Sequence, residues 1–197
     1  MVSKFNEQDE LANKRSKEII LKTERFINTN VYNCNMLVSN TSTLILLAKV
    51  TVLEKTLETF GEVVIPKKVF EEIVEKRELF DSQLILKQIE NKKIIIKEIK
   101  TKDITQILSQ FRLDEGEAAA YAIYTKGKYK ALLTDDKELI KLCRIENIPF
   151  ITAMAIVIRL NEKNILTKEE ALEKLEALYK VGRYSKEIYE FFKQEVK

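Results

Sequence analysis

The hydrophobic positions along the chain change period several times. Short apolar runs of strand length alternate with longer segments in which apolar residues recur every three or four positions, as in an amphipathic helix. Such alternation predicts an α/β fold, with a mostly parallel sheet of four or five strands and helices on both faces. The predicted strands are 36–39, 63–65, 94–99, 131–134 and 149–151. The predicted helices lie within 43–60, 67–77, 81–90, 101–111, 114–125, 137–147, 153–162, 168–179 and 186–195.

Residues 1–35 differ from the rest of the chain. Small or apolar residues at positions 12, 16, 19, 20, 23 and 27 predict an amphipathic helix over about 7–27. The asparagine-rich stretch 28–35 then reads as a linker. We therefore expect an N-terminal helical extension and linker at 1–35 and one domain at 36–197. The extension could pack on the domain, mediate association or be dispensable.

Composition favours a globular chain in the cytoplasm. The chain has 197 residues, of which 45% are hydrophobic and 33% charged. The apolar runs are far shorter than a membrane span, and the first residues lack the apolar core of a signal peptide. The formal net charge of +3 allows a nucleic-acid partner without requiring one.

The absence of histidine restricts the chemistry. It excludes Ser-His-Asp and Cys-His catalysis and histidine-ligated zinc. The two cysteines, Cys34 and Cys143, form no C-x-x-C pair, so we expect each to be a small buried apolar residue. Any catalysis must then use carboxylates, amides, hydroxyls, lysines or a bound metal.

Four polar side chains fall where predicted strands end or predicted helices begin. They are Asn40, Glu72, Glu117 and Asp136. Because parallel strands end at one edge of a sheet, we expect the four to converge there. Oxygen ligands of this kind suit Mg²⁺ or Mn²⁺, and such a metal can activate water and stabilise charge on a phosphodiester.

Each of the four also has a purely structural explanation. Glu117 could belong to a D-x-x-E capping box, and Asn40 could be a helix N-cap. Glu72 could lie on a solvated helix face. Asp136 could lie in the first turn of a helix that is capped by Thr134 or Asp135.

Taken together, four motifs resemble those of the PIN-domain nucleases, over residues 36–197. They are Leu-Val-Ser-Asn-Thr-Ser at 37–42, Ile-Pro-Lys-Lys-Val-Phe-Glu-Glu-Ile at 65–73, Gly-Glu-Ala at 116–118 and Leu-Leu-Thr-Asp-Asp at 132–136. One subgroup of predicted PIN proteins is similar in reading Ser-Asn-Thr-Ser at the first motif and Gly-Glu-Ala at the third.

The resemblance implies roles for these residues. Asn40, Glu72, Glu117 and Asp136 would be catalytic, with Asn40, Glu117 and Asp136 as ligands of Mg²⁺ or Mn²⁺ and Ser42 as a supporting hydroxyl. The implied reaction is metal-dependent cleavage of RNA. Many relatives are toxins paired with small antitoxin proteins and many are homodimers, so the resemblance implies both as partners.

Asn40 departs from the family pattern, which has an aspartate at this position. An amide oxygen can coordinate a cation but brings no charge. Three interpretations remain: a weakened but active nuclease, a nuclease with shifted ligand roles, and a nuclease-like protein that binds RNA or a partner without cutting.

Overall fold

The structure is a computed structural model, and it describes residues 36–197. The predicted extension and linker at 1–35 lie outside the described residues. The described part of the chain divides into two compact units, residues 36–153 and residues 154–197. The sheet and all four predicted site residues belong to the first unit.

A five-stranded parallel sheet forms the centre of the first unit. The strands lie in the order β3-β2-β1-β4-β5, and every pair of neighbours is parallel. The α/β class and the parallel sheet predicted from the alternating pattern are therefore confirmed. The strands are β1 Leu37–Ser39, β2 Val63–Pro66, β3 Ile94–Lys97, β4 Leu132–Leu133 and β5 Phe150–Ile151.

The order of the strands determines where the helices pack. The chain moves from β1 through β2 to β3 on one side, then returns to β4 and β5 on the other side of β1. Because parallel crossovers are right-handed, this reversal places the helices between β1 and β3 on one face of the sheet and those between β3 and β5 on the other. In the first unit the helices are α1 Thr41–Lys49, α2 Leu53–Phe60, α3 Lys67–Glu75, α4 Phe80–Glu90, α5 Thr101–Gln110, α6 Glu115–Lys126 and α7 Lys137–Ile145.

Helix α6 packs on the sheet through small side chains. Four alanines of this helix are fully buried, and the helix contacts β1, β2 and β4. Small side chains allow a helix backbone to come close to the strands. This packing brings the first turn of α6, with Glu117, to the carboxyl edge of the sheet. The four alanines are Ala118, Ala119, Ala120 and Ala122.

The second unit contains helices only, among the residues described. Helices α9 and α10 contact each other through the stacked rings of Tyr179 and Tyr189, whose centroids are 4.7 Å apart. The predicted caps are both present, since Thr167 forms a capping box with Glu170 and the Ser185 hydroxyl accepts from a backbone N–H. The helices are α8 Ala153–Glu162, α9 Lys168–Val181 and α10 Lys186–Gln194.

Several predicted boundaries differ from the structure by a few residues, and two of the differences have identifiable local reasons. The predicted strand 94–99 ends at Lys97, because its partner β2 ends at Pro66, which is opposite Lys97. The helical segment predicted over 43–60 starts earlier, at Thr41, and is split into α1 and α2 at Thr51, whose φ of 60° interrupts the helix. None of the helices within 36–197 has the length and apolar character that crossing a bilayer requires.

Candidate functional site

The candidate site lies where the direction of the chain through the sheet reverses. Strands β1 and β4 are neighbours there, but their following connections lead to opposite sides. In open α/β sheets the crevice outside the carboxyl ends of such strands is the usual ligand site. Asn40 directly follows β1, and Asp136 immediately precedes α7 in the segment after β4.

Asn40 is buried, with 2% of its surface exposed, and it caps α1. Its Oδ1 accepts hydrogen bonds from the backbone N–H of Thr43 (3.4 Å) and the hydroxyl of Ser42 (3.2 Å). Because a backbone N–H can only donate, this contact fixes which end of the amide carries the oxygen. The Nδ2 group donates to Thr134 Oγ1 at 3.2 Å. Both polar ends of the Asn40 side chain therefore have partners within the protein.

Thr134 connects the ends of β1 and β4. The residue is fully buried, and its Oγ1 accepts from Asn40 Nδ2 and from the backbone N–H of Asp136, each at 3.2 Å. Sheet register pairs Ser39 with Leu133, so Asn40 and Thr134 are the next pair beyond the strands. A side-chain hydrogen bond thus continues the β1–β4 ladder by one residue and extends to Asp136.

Glu72 is tied to the segment after β1 and to the start of α6. Its Oε2 accepts a 2.5 Å hydrogen bond from the Thr41 hydroxyl. Its Oε1 lies against Gly116, where an added Cβ would stand 3.0 Å from that oxygen. The absence of a side chain at Gly116 therefore lets the Glu72 carboxylate approach α6 one residue before Glu117.

Glu117 belongs to the capping box of α6, as the sequence predicted. Asp114 Oδ1 accepts from the Glu117 backbone N–H at 2.7 Å, and Glu117 Oε2 accepts from the Asp114 N–H at 3.0 Å. The Glu117 carboxyl is also close enough to Asp136 for that side chain to raise its pKa. A capping function and proximity to a second acid thus coincide in one side chain.

Asp136 is the N-cap of α7. Its Oδ1 accepts from the backbone N–H groups of Glu138 (2.8 Å) and Leu139 (2.9 Å). The alternative in which Thr134 or Asp135 caps this helix is therefore wrong. Asp135 instead accepts from the backbone N–H of Ala153. The Thr134 hydroxyl accepts from the N–H of Asp136, which precedes the helix, and so it does not cap the N–H groups of the first helical turn.

Burial and two neighbouring acids shift the pKa of Glu117. Burial raises the pKa of Glu117 to about 7, against a lowering contribution from the backbone N–H of Asp114. The negative charges of Asp114 and Asp136, and the hydrogen bond with Asp136, raise it further. Glu117 is therefore protonated in part of the molecules at neutral pH.

All four predicted site residues join one connected set. Hydrogen bonds join Glu72 to Thr41, and Thr134 to both Asn40 and Asp136, while Thr41 is the chain neighbour of Asn40. Asp136 raises the pKa of Glu117, whose chain neighbour Gly116 lies against Glu72. Ser42 is joined to the set by its bond to Asn40. Sequence reasoning gave no role to Thr41 and considered Thr134 only as a cap, although Thr134 follows a strand directly within the fourth motif.

The donor set fits a divalent metal in part. Glu117 and Asp136 offer two neighbouring carboxyl groups as hard oxygen ligands, and Mg²⁺ is often held by only one or two carboxylates. Asn40 fits less well, because its oxygen already accepts two hydrogen bonds. Among residues 36–197, no three His, Cys, Asp or Glu side chains stand together so as to hold a metal ion. The part that fits is the Glu117–Asp136 pair.

A groove of about 390 Å³ lies between α3, α5 and the first residue of α6, and its lining includes none of the four site residues. Ion pairs lie along its rim, from Lys67 to Glu98 (2.9 Å) and from Lys68 to Glu115 (2.8 Å). Helix α5 and the residues before it contribute apolar side chains to the groove, namely Ile99, Ile104 and Leu108. The two lysines are paired with carboxylates, so the groove does not present a strongly basic surface.

Comparison with known proteins identifies the family. A family model described as the PIN domain matches residues 36–197. The chain has no significant match among curated proteins or solved structures. The PIN domain is a nuclease-type domain whose members generally use divalent metals. The match spans the sheet, all ten described helices and every residue of the candidate site, and so the chain belongs to the PIN-domain family.

Proposed function

We propose that the chain is a divalent-metal-dependent ribonuclease. The observation that carries this proposal is the pair Glu117–Asp136, two carboxyl groups at the carboxyl edge of the sheet that lie close enough for one to raise the pKa of the other, with Glu72 held beside α6. Family membership supports nuclease chemistry in general. Mg²⁺ or Mn²⁺ as the ion and RNA as the substrate are parts of the proposal.

The side chains would act as follows. Asp136 is oriented by the N-terminus of α7, and with Glu117 it would hold the cation. A bound divalent ion supplies a Lewis acid that favours ionised water and stabilises charge on the phosphate. In the metal-free chain Glu117 has a pKa of about 7, so binding of a cation near neutral pH would release its proton. Glu72, oriented by Thr41, adds a further acceptor beside α6.

Cleavage of RNA by purified variants tests this proposal. Glu117→Gln and Asp136→Asn each remove a charge while keeping the cap, because glutamine and asparagine fill these cap positions well. We expect either variant to lose at least about a hundredfold in metal-dependent cleavage of single-stranded RNA. Glu115→Gln, a matched change at an exposed position of the same helix turn, should cleave like the wild type. Equal cleavage by all variants would indicate a contaminant and refute the assignment.

A second candidate function is a module that binds RNA or a protein partner without cutting. The neutral Asn40, whose amide is engaged on both sides, favours this alternative. It predicts RNA or partner binding with no cleavage at any Mn²⁺ concentration. The proposal of a toxin paired with a small antitoxin, and that of a homodimer, rest on the four motifs.

A further inference from the structure

The Asn40 amide has the contacts of a structural bridge. Its oxygen accepts from Thr43 and Ser42 at the start of α1, and its Nδ2 donates to Thr134. An amide oxygen has two lone pairs, and these two donors occupy them. Coordination of a cation by this buried oxygen would require loss of one of these two hydrogen bonds, the one from the Thr43 N–H or the one from the Ser42 hydroxyl.

An amide at this position can donate a hydrogen bond, which the carboxylate of an aspartate cannot. Thr134 Oγ1 already accepts from the Asp136 N–H, and Asn40 Nδ2 provides a second donor to it. An aspartate has no hydrogen to donate there, so Thr134 would have to turn its own hydrogen towards it. The amide thus joins β1 and β4 with no added negative charge.

We propose that Asn40 and Thr134 form a positioning bridge that holds Asp136 in place without a cation, and that Asn40 lies outside the coordination of any metal at the site. Thr134 is then a positioning residue that acts through Asp136. The part concerning metal affinity rests on the proposed function, whereas the bridge itself does not.

Nuclear magnetic resonance of the full wild-type chain tests the bridge directly. In EDTA, we expect the Asn40 side-chain amide protons to exchange slowly with solvent, because they are buried and bonded to Thr134. On addition of Mg²⁺, the backbone N–H signals of Glu138 and Leu139, which bond to Asp136, should shift while the Asn40 amide signal stays in place. Fast exchange in EDTA, or an Asn40 shift as large as those of Glu138 and Leu139, would overturn the proposal.

Substitution at Thr134 tests positioning. Thr134→Val removes the hydroxyl at nearly constant shape, and Thr134→Ser keeps it. We expect Thr134→Val to weaken Mn²⁺ binding, measured by paramagnetic resonance of the free ion, by roughly ten- to a hundredfold. Thr134→Ser should restore affinity close to that of the wild type. Unchanged affinity in Thr134→Val, or failure of Thr134→Ser to restore it, would refute positioning by the hydroxyl.

The two proposals can fail separately. If the wild type neither binds Mn²⁺ nor cleaves RNA, the proposed function fails, and amide exchange in EDTA still decides whether the bridge exists. If the wild type binds Mn²⁺ and cleaves RNA while its Asn40 amide shifts with Mg²⁺, the function holds and this inference fails. Circular dichroism checks the fold of Thr134→Val, and the wild-type measurement does not depend on that variant.

Discussion

At the scale of single residues, Glu117 combines a structural and a chemical role. Its carboxyl closes the capping box with Asp114 and also has its pKa raised by the neighbouring Asp136. The capping role needs only an acceptor at this position, which glutamine also provides. The chemical role needs the charge. Exchange of glutamate for glutamine at this one position therefore separates the two roles.

We predict that Glu117 makes the metal-free chain less stable as pH rises. Its native pKa of about 7 exceeds the ordinary 4.5, so between these values the native chain holds a proton that the unfolded chain has lost. The free energy of unfolding contributed by this group therefore falls from about pH 4.5 to about pH 7 and stays low above it. Glu117→Gln should abolish this fall in the free energy of unfolding, because glutamine does not ionise. Because Glu117 is half-buried, water screens part of the effect, and we expect a gain in Tm of about 2–4 °C at pH 8.

Thermal unfolding in EDTA at pH 4 and pH 8 checks this prediction. The Tm of Glu117→Gln should exceed that of the wild type at pH 8. At pH 4 the two Tm values should be equal, because the wild-type Glu117 is then neutral like the glutamine of the variant. Glu115→Gln serves as the control, since Glu115 is exposed and outside the acid pair. A gain that is the same at both pH values, or shared by Glu115→Gln, would contradict the role of the buried charge.

At the scale of the elements, periodicity predicted most of the fold. Alternating strand and helix patterns identified all five strands, and caps such as Thr167 with Glu170 marked helix starts. Side-chain contacts of the site were not predictable in this way. The bond from Asn40 to Thr134 joins residues 94 positions apart and depends on strand register, which no local pattern contains. The role of Thr41 likewise depends on where α3 places Glu72.

Close packing of α6 on the sheet leads to a prediction at this scale. Ala119 is fully buried, on a helix that contacts β1, β2 and β4. Ala119→Leu adds three carbon atoms to a filled space, which we expect to lower the free energy of unfolding by about 1–3 kcal/mol. The matched substitution Thr125→Leu, at an exposed position of the same helix, should change it by less than about 0.5 kcal/mol. Denaturant unfolding of both variants tests this, and similar losses in the two would argue against tight packing of α6.

At the scale of the whole molecule, helix α7 links the site to the core. Asp136 caps its first turn, and Cys143, near its other end, is fully buried. Burial raises the pKa of the Cys143 thiol to about 12, so the native chain presents almost no thiolate there. Alkylation of Cys143 therefore requires opening of the structure around α7 and reports how often that opening occurs.

Metal bound at Asp136 should then protect Cys143 at a distance. In a chain carrying Cys34→Ser, Cys143 is the only thiol, and its labelling by iodoacetamide follows the open population when closing is fast. Free Mn²⁺ at about 100 times its Kd lowers that population, and the labelling rate, by about a hundredfold. Asp136→Asn keeps the cap but weakens the metal site, so Mn²⁺ should no longer slow its labelling. Glu138 is two residues after Asp136 and is exposed, so in Glu138→Gln we expect Mn²⁺ to slow labelling as much as in the parent chain. If Mn²⁺ slowed the labelling of Cys143 equally in all three chains, the Asp136 carboxylate would not be needed for the slowing. Mn²⁺ would then bind elsewhere, and the prediction would be wrong.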